Sequence, residues 1–311
     1  MVVRSEVQIL TVTARHAGQR LDNFLLRELP DLPRARIYRL IRRGEVRVNK
    51  KRCKPAQRLE LSDQVRIPPV LEKVRGQPGI PSAGLNRLLQ QSLLYEDEDL
   101  LVINKPAGLS VHGGSGIRLG VIEAMRQLRP QWQALELAHR LDRDTSGCLV
   151  LAKNINCLRE IQAGLKDKRV EKHYLALVHG KWPDSLAEVC QPLLKNQLSS
   201  GERVVRVDPH GKQALTRFRV LQRHGDQATL LEAAPVTGRT HQIRVHCQYA
   251  GHPIVGDSKY AEAFRNSPLG RYKLLCLHAH RIAFRSRPEG PLIEVEATPD
   301  NKLSSMLKSL N

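Results

Sequence analysis

Leu21, Phe24, Leu25 and Leu29 recur at three- and four-residue steps after Gly18-Gln19-Arg20, a spacing that predicts a helix. Pro30 stops it, and Pro33 suits the start of a second helix, Arg34–Arg43. There Ile37, Leu40 and Ile41 mark an inward face, and Arg36, Arg39, Arg42 and Arg43 an outward one. Gly44 fits the C-terminal cap. Val46-Arg47-Val48 alternates as a strand, Asn49-Lys50 turns the chain, and Val65-Arg66-Ile67 alternates again. Residues 70–91 are rich in Gly, Pro and Ser with weak periodicity, which predicts a linker.

Beyond the linker, residues 100–104 form an apolar run that reads as a buried strand, ended by Lys105-Pro106. Residues 111–116 are a glycine-rich loop, and a helix is predicted over 120–128. A densely charged stretch, His139-Arg140-Leu141-Asp142-Arg143-Asp144-Thr145-Ser146-Gly147, sits between apolar segments 135–138 and 148–152. A helix over 157–166 and strands over 173–178, 202–207, 214–221 and 228–234 follow. Residues 237–240 form a turn, with Thr240 placed to cap a helix over 241–249 that ends at Gly251. A strand over 292–297 and a helix over 301–310 close the chain. Strand runs with interspersed helices predict an α+β fold. The expected layout is a small domain over 1–69, a linker over 70–91, and a larger domain over 92–311. The larger domain is built on a mixed, mostly antiparallel sheet with flanking helices.

Charge changes the picture most. The 311 residues carry a formal net charge of +19, with pI near 10.1. Residues 1–69 hold sixteen Lys and Arg against seven Asp and Glu. Such an excess favours a polyanionic partner. Arg20, Arg34, Arg36, Arg39, Arg42, Arg43 and Lys50 are the candidate phosphate contacts, read against the plainer alternative of a solvated basic face. No apolar run approaches the roughly 20 residues of a membrane span. The first residues lack a signal-peptide core, so the expected location is cytoplasmic. Six scattered cysteines without a C-x-x-C pair read as reduced, mostly buried thiols. The spacings of His241 with His246 and of His278 with His280 do not match a zinc site, so no metal is expected. Neither G-x-G-x-x-G nor a P-loop is present.

Residues 18–68 resemble the S4 RNA-binding domain through Gly18-Gln19-Arg20-Leu21-Asp22 and Gly44-Glu45-Val46-Arg47-Val48-Asn49. The loop His139-Arg140-Leu141-Asp142-x-x-Thr145-Ser146-Gly147 resembles the signature of the RluA-type pseudouridine synthases. Lys105-Pro106 with Gly108 and Val111-His112, Lys172-x-Tyr174, and Gly238-Arg239-Thr240-His241-Gln242-Ile243-Arg244-x-His246 are similar to that family's other motifs, in family order. The resemblance implies isomerisation of uridine to pseudouridine in 23S ribosomal RNA by a monomer that needs no cofactor. It places the nucleophile on Asp142, its charge partner on Arg244, and base stacking and help with the C5 proton on Tyr174. It also implies that Arg140 fills the gap left by the flipped nucleotide. Flipping is required physically, because a side chain cannot reach C1′ inside a stacked helix.

Read alone, each residue has a plainer account. Tyr174 fits an ordinary core tyrosine, Arg244 a structural ion pair, Lys105 a strand end, and His241 and His246 hydrogen-bonding roles rather than bases. Two other functions compete. Asp142-Arg143-Asp144 suggests an aspartyl-phosphate phosphotransferase, although no acidic cluster for a metal follows it. The basic N-terminal region alone would suit a non-catalytic ribosome-assembly protein.

Overall fold

The computed structural model describes residues 2–4, 6–29, 32, 34–73, 79–113, 119–197 and 203–310. The expectations for Pro30, Pro33 and residues 114–116 lie outside these, as do residues 74–78 of the expected linker. The chain divides into two compact units, Met1–Gln77 and Pro78–Asn311.

In the first unit, helices Leu21–Glu28 and Arg34–Arg43 pack with a four-stranded sheet. The sheet runs Gln8–Thr11, Gln64–Ile67, Arg47–Val48, Lys51–Arg52. The predicted inward residues Ile37, Leu40 and Ile41 join Leu21, Phe24, Leu25, Val48 and Val65 in one buried core. Arg34, Arg39, Arg42 and Arg43 are exposed, and Arg36 is half-buried. Gly44, at φ +72°, ends the second helix as predicted. Asn49 and Lys50 both have positive φ (49° and 64°), the geometry of a tight two-residue hairpin. A further pair, Val2–Arg4 with Leu71–Lys73, lies in the same unit.

The second unit is built on a ten-stranded sheet. Its main path runs Glu188–Cys190, Leu215–His224, Ala228–Pro235, Glu171–His179, Leu277–Phe284, Ser146–Ala152, Leu100–Lys105, Leu93–Glu96. All pairings are antiparallel except Ser146–Ala152 with Leu277–Phe284, which are parallel at Ser146↔His278 and Gly147↔Ala279. The predicted strand at 100–104 is apolar throughout because both its faces are covered. Leu101 and Ile103 pack with the helix Val121–Leu128, and Leu100 and Val102 with the helix Ile155–Lys166. Gly147, at φ +106°, lies so close to the neighbouring strand that an added Cβ would sit 2.2 Å from the Ala279 carbonyl oxygen.

Two expectations need correction. The stretch read as linker contains a helix, Ala83–Gln91, capped by Ser82, whose hydroxyl accepts from the Leu85 N–H at 3.2 Å. Leu85 and Leu89, one turn apart, pack against the Val121–Leu128 region, and this burial outweighs the Gly/Pro/Ser composition. The strand Leu277–Phe284 was missed altogether, although it lies between the strands that carry Tyr174 and the charged loop. Its histidines break the apolar pattern, yet each is satisfied. His278 Nε2 donates to the Ala297 carbonyl at 2.9 Å, so its Nδ1 accepts from Ser146 Oγ at 2.8 Å. His280 Nδ1 reaches the same carbonyl at 2.9 Å. A buried strand tolerates polar residues whose hydrogen bonds are met.

Candidate active site

Residues 139–147 enter the strand Ser146–Ala152 through a turn in which the Thr145 N–H donates to the Asp142 carbonyl at 3.2 Å. Leu141 is buried and anchors the turn in the core. Lys105 braces it. Its side chain is wholly buried, and its ammonium donates to the carbonyls of Pro106 and Leu109 at 2.8 Å and of Arg143 at 3.0 Å. Three donors meet three acceptors, which compensates a buried charge. Burial pulls its pKa down to about 8 against the opposing pull of Asp144 and Asp142. The Gly108 N–H adds a second bond to the Arg143 carbonyl at 2.9 Å. Lys105 and Gly108 of the first motif therefore hold the signature loop. His139 is fixed by the Val150 N–H, which donates to Nε2 at 3.1 Å. Burial lowers its pKa to about 4, so the ring stays neutral.

A second wall comes from the segment around Arg239 and Gln242. Gln242 Oε1 accepts from Thr237 Oγ1 at 2.7 Å and from the Arg239 N–H at 3.0 Å. Its Nε2 donates to the Leu215 carbonyl at 2.9 Å and to Thr216 Oγ1 at 3.0 Å. This side chain folds the turn. The cap of the helix Gln242–Tyr249 is His241, in the left-handed region at φ 54°, and not Thr240 as the sequence suggested. Arg244 follows, buried on the first turn of this helix. Its Nε and Nη2 donate to Asp257 Oδ2 and Oδ1 at 2.7 and 2.8 Å, and its Nη1 lies 3.7 Å from Asp142 Oδ2. His241 Nε2 is also 3.7 Å from Asp142 Oδ2.

Asp142, His241 and Arg244 line a cavity of about 540 Å³ together with Arg140, Tyr174, Arg239 and three lysines, Lys166, Lys168 and Lys172. Its size lies within the roughly 300–1,000 Å³ usual for small-ligand sites. Asp142 is part-exposed there, and Arg140 is exposed. Burial, with Asp142 as a second contribution, raises the pKa of Tyr174 well above the ordinary phenol range. The residue therefore presents a neutral ring and a hydroxyl, and a phenolate base is disfavoured. Burial also lowers the pKa of Lys172.

The structure thus brings Asp142, Tyr174, Arg244 and Arg140, far apart in sequence, to one cavity. Asp144 pairs with the exposed Arg143 at 3.0 Å and is itself partly exposed. Asp142 is faced by a guanidinium and an imidazole, where an aspartyl-phosphate site would offer further carboxylates to a metal. In the first unit, Arg20 forks onto Asp22 at 3.0 and 2.7 Å. Asp22 also accepts from Tyr38 Oη at 2.7 Å, and Arg34 reaches that hydroxyl at 3.3 Å. Asp257 was missed by the sequence reading. The signal available was Gly256-Asp257, where an added Cβ at Gly256 would meet the Leu274 carbonyl oxygen at 1.8 Å, marking a forced turn. Lys166 and Lys168 also went unremarked, because their place beside Lys172 on the cavity lining follows from the fold alone.

The α+β sheet and its aspartate-bearing loop define a pseudouridine synthase. Residues 99–249 match the RNA pseudouridylate synthase family and residues 19–65 the S4 domain, and the chain belongs to the RNA pseudouridylate synthase family. It is an isomerase. Over nearly its whole length it is similar to proteins named ribosomal large subunit pseudouridine synthase C. Identity is 48% over 309 residues with that of Escherichia coli (strain K12), covering 98% of this chain and 97% of the relative. With that of Vibrio parahaemolyticus it is 47% over 312 residues, covering 99% and 98%. A solved structure, Human RNA Pseudouridylate Synthase Domain Containing 4, superposes with a TM-score of 0.60 at 27% identity, covering 73% of this chain and 95% of that one.

Proposed function

We propose that this enzyme isomerises specific uridines in large-subunit (23S) ribosomal RNA in the cytoplasm, with Asp142 as the nucleophile. The observation that carries the reading is the placement of Asp142 in a cavity beside Arg244 and Tyr174. Arg244 brings its positive charge to 3.7 Å from Asp142 Oδ2. A carboxylate oxygen adds to the sugar or the base, and the bond between N1 and C1′ breaks. The uracil, parted from its sugar, turns within the cavity. C5 bonds to C1′, the carboxylate is released, the C5 proton passes to water, and N1 takes up one proton in its place. No electron is gained or lost overall, so the chain's own groups suffice and no cofactor is invoked.

Tyr174 stacks on the extruded base through its neutral ring, and Arg140 takes the place the base vacates. The exposed Arg39, Arg42, Arg43 and Lys50, with Arg34, Arg36 and the Asp22-oriented Arg20, follow the RNA phosphates. Residues 1–69 then supply affinity and residues 92–311 the chemistry. The relatives' printed name supports the large ribosomal subunit as the source of the substrate. The test is a map of pseudouridines in ribosomal RNA from cells with and without this gene. Loss of defined large-subunit sites is expected, restored by the intact gene and not by an Asp142→Asn copy. An unchanged large-subunit map overturns the substrate assignment.

A further inference from the structure

Asp142 is approached by two groups from one helix start, and the closest contact of each is with the same oxygen, Oδ2. Arg244 is one of them. The other, His241, is held from behind. Tyr260 Oη accepts from the Val205 N–H at 3.1 Å and lies 2.7 Å from His241 Nδ1. The phenol carries one proton to donate, and the acceptor within its reach at 2.7 Å is Nδ1, so the proton points there. A neutral imidazole that accepts at Nδ1 carries its proton on Nε2, and Nε2 is the atom that faces Asp142. The backbone agrees. His241 sits at φ 54°, ψ 20°, a left-handed conformation uncommon outside glycine. No cap hydrogen bond from its side chain rewards that conformation. What it achieves is the direction of the ring.

We propose that His241 is a positioning residue for Asp142: Tyr260 fixes its Nε2–H tautomer, and the Nε2–H together with Arg244 pins Oδ2, leaving Oδ1 for the substrate. The inference rests on the reading of Asp142 as nucleophile. The charged groups around the ring are Asp142, Arg244, Asp257 and Lys259, and burial outweighs them in lowering the His241 pKa, in keeping with a neutral ring. The 3.7 Å gap is long for a hydrogen bond. Catalytic contacts often tighten only when substrate closes the site.

Two substitutions separate aim from structure. Asparagine tolerates the left-handed backbone, and in His241→Asn its amide reaches the position of Nδ1, toward Tyr260, but not that of Nε2. In His241→Gln the longer amide reaches toward Asp142. With the full chain and C5-tritiated RNA, His241→Asn should lose about 10- to 100-fold in kcat, the scale for a misplaced reacting group. KM should stay within about twofold, and His241→Gln should recover most of the loss. Nitrogen-15 spectra of the wild-type enzyme should show His241 protonated at Nε2, and Tyr260→Phe should mix the tautomers.

An Nδ1–H tautomer in the wild type overturns the proposal, as does full kcat in a folded His241→Asn beside an inactive Asp142→Asn. Equal losses in the Asn and Gln variants also overturn it, since they would indicate a structural role. Turnover retained by Asp142→Asn overturns the nucleophile reading itself, and this proposal with it.

Discussion

Arg244 directs two of its nitrogens at Asp257, at 2.7 and 2.8 Å, and a third at Asp142, at 3.7 Å. Asp257 is fully buried and also accepts the backbone N–H groups of Lys259 and Tyr260 at Oδ1. The guanidinium is therefore fixed before substrate arrives, and Asp142 meets a charge that need not reorganise.

Asp257→Asn should consequently be worse than a surface change. It leaves Arg244 buried with half its fork unmatched, a loss of about 3–5 kcal/mol for a broken buried pair. Both tryptophans, Trp132 and Trp182, lie in the second unit, so their fluorescence in a urea titration reports on that unit. The midpoint should fall clearly, with turnover reduced. An unchanged midpoint contradicts the assignment.

Asp142→Asn is nearly isosteric and removes the anion. Tritium release from C5-labelled uridine should fall by at least about 10⁴-fold, the scale for a lost nucleophile. Circular dichroism and RNA affinity should stay near wild type. Asp144→Asn is the control, because Asp144 pairs with exposed Arg143 and not with the Arg244 cluster. It should keep release within about threefold, as surface changes do. Inactivity of the Asp144 variant with an active Asp142 variant would reverse the assignment.

Asp22 makes the stability of the first unit depend on acid. Its carboxylate is almost wholly buried under Arg20, Tyr38 and the Asn23 N–H. The Arg20 hydrogen bond is the largest influence, and the pKa falls to about 2. A carboxylate with a depressed folded pKa stabilises the fold at pH above its unfolded value, about 3.9, and that stability is lost as pH falls toward about 2. With Arg20 half exposed, the contribution is about 1–2 kcal/mol. Amide hydrogen exchange along the helix Leu21–Glu28 should quicken as pH drops from 4 to 2, after correction for the intrinsic rate. Asp22→Asn should remove that dependence.

Arg42 and Arg43 project into solvent at the end of their helix. If they meet phosphates, Arg42→Gln with Arg43→Gln should lower the slope of log affinity against log salt by roughly 1.4–1.8, about 0.7–0.9 per contact. Filter binding at a series of salt concentrations measures it. An unchanged slope removes both residues from the RNA surface.

Much of this protein follows from local rules in the chain. The helix Arg34–Arg43 shows its inward and outward faces in its spacing, because a helix repeats every 3.6 residues whatever it packs against. The turn at Asn49-Lys50 and the cap at Gly44 follow from backbone sterics. Asp142, Tyr174 and Arg244 were legible through the motifs that hold them. The strand Leu277–Phe284 was not, because its histidines make sense only once the carbonyl of Ala297 and the hydroxyl of Ser146 are beside them. The helix Ala83–Gln91 was hidden for a related reason, since its stability comes from leucines buried on a distant helix. The Arg244–Asp257 fork and the Tyr260–His241 contact join residues 13 and 19 positions apart through turns whose directions the fold sets. Periodicity and sterics are properties of a segment. Hydrogen-bond partners and burial are properties of a neighbourhood, and the tertiary structure alone assembles it.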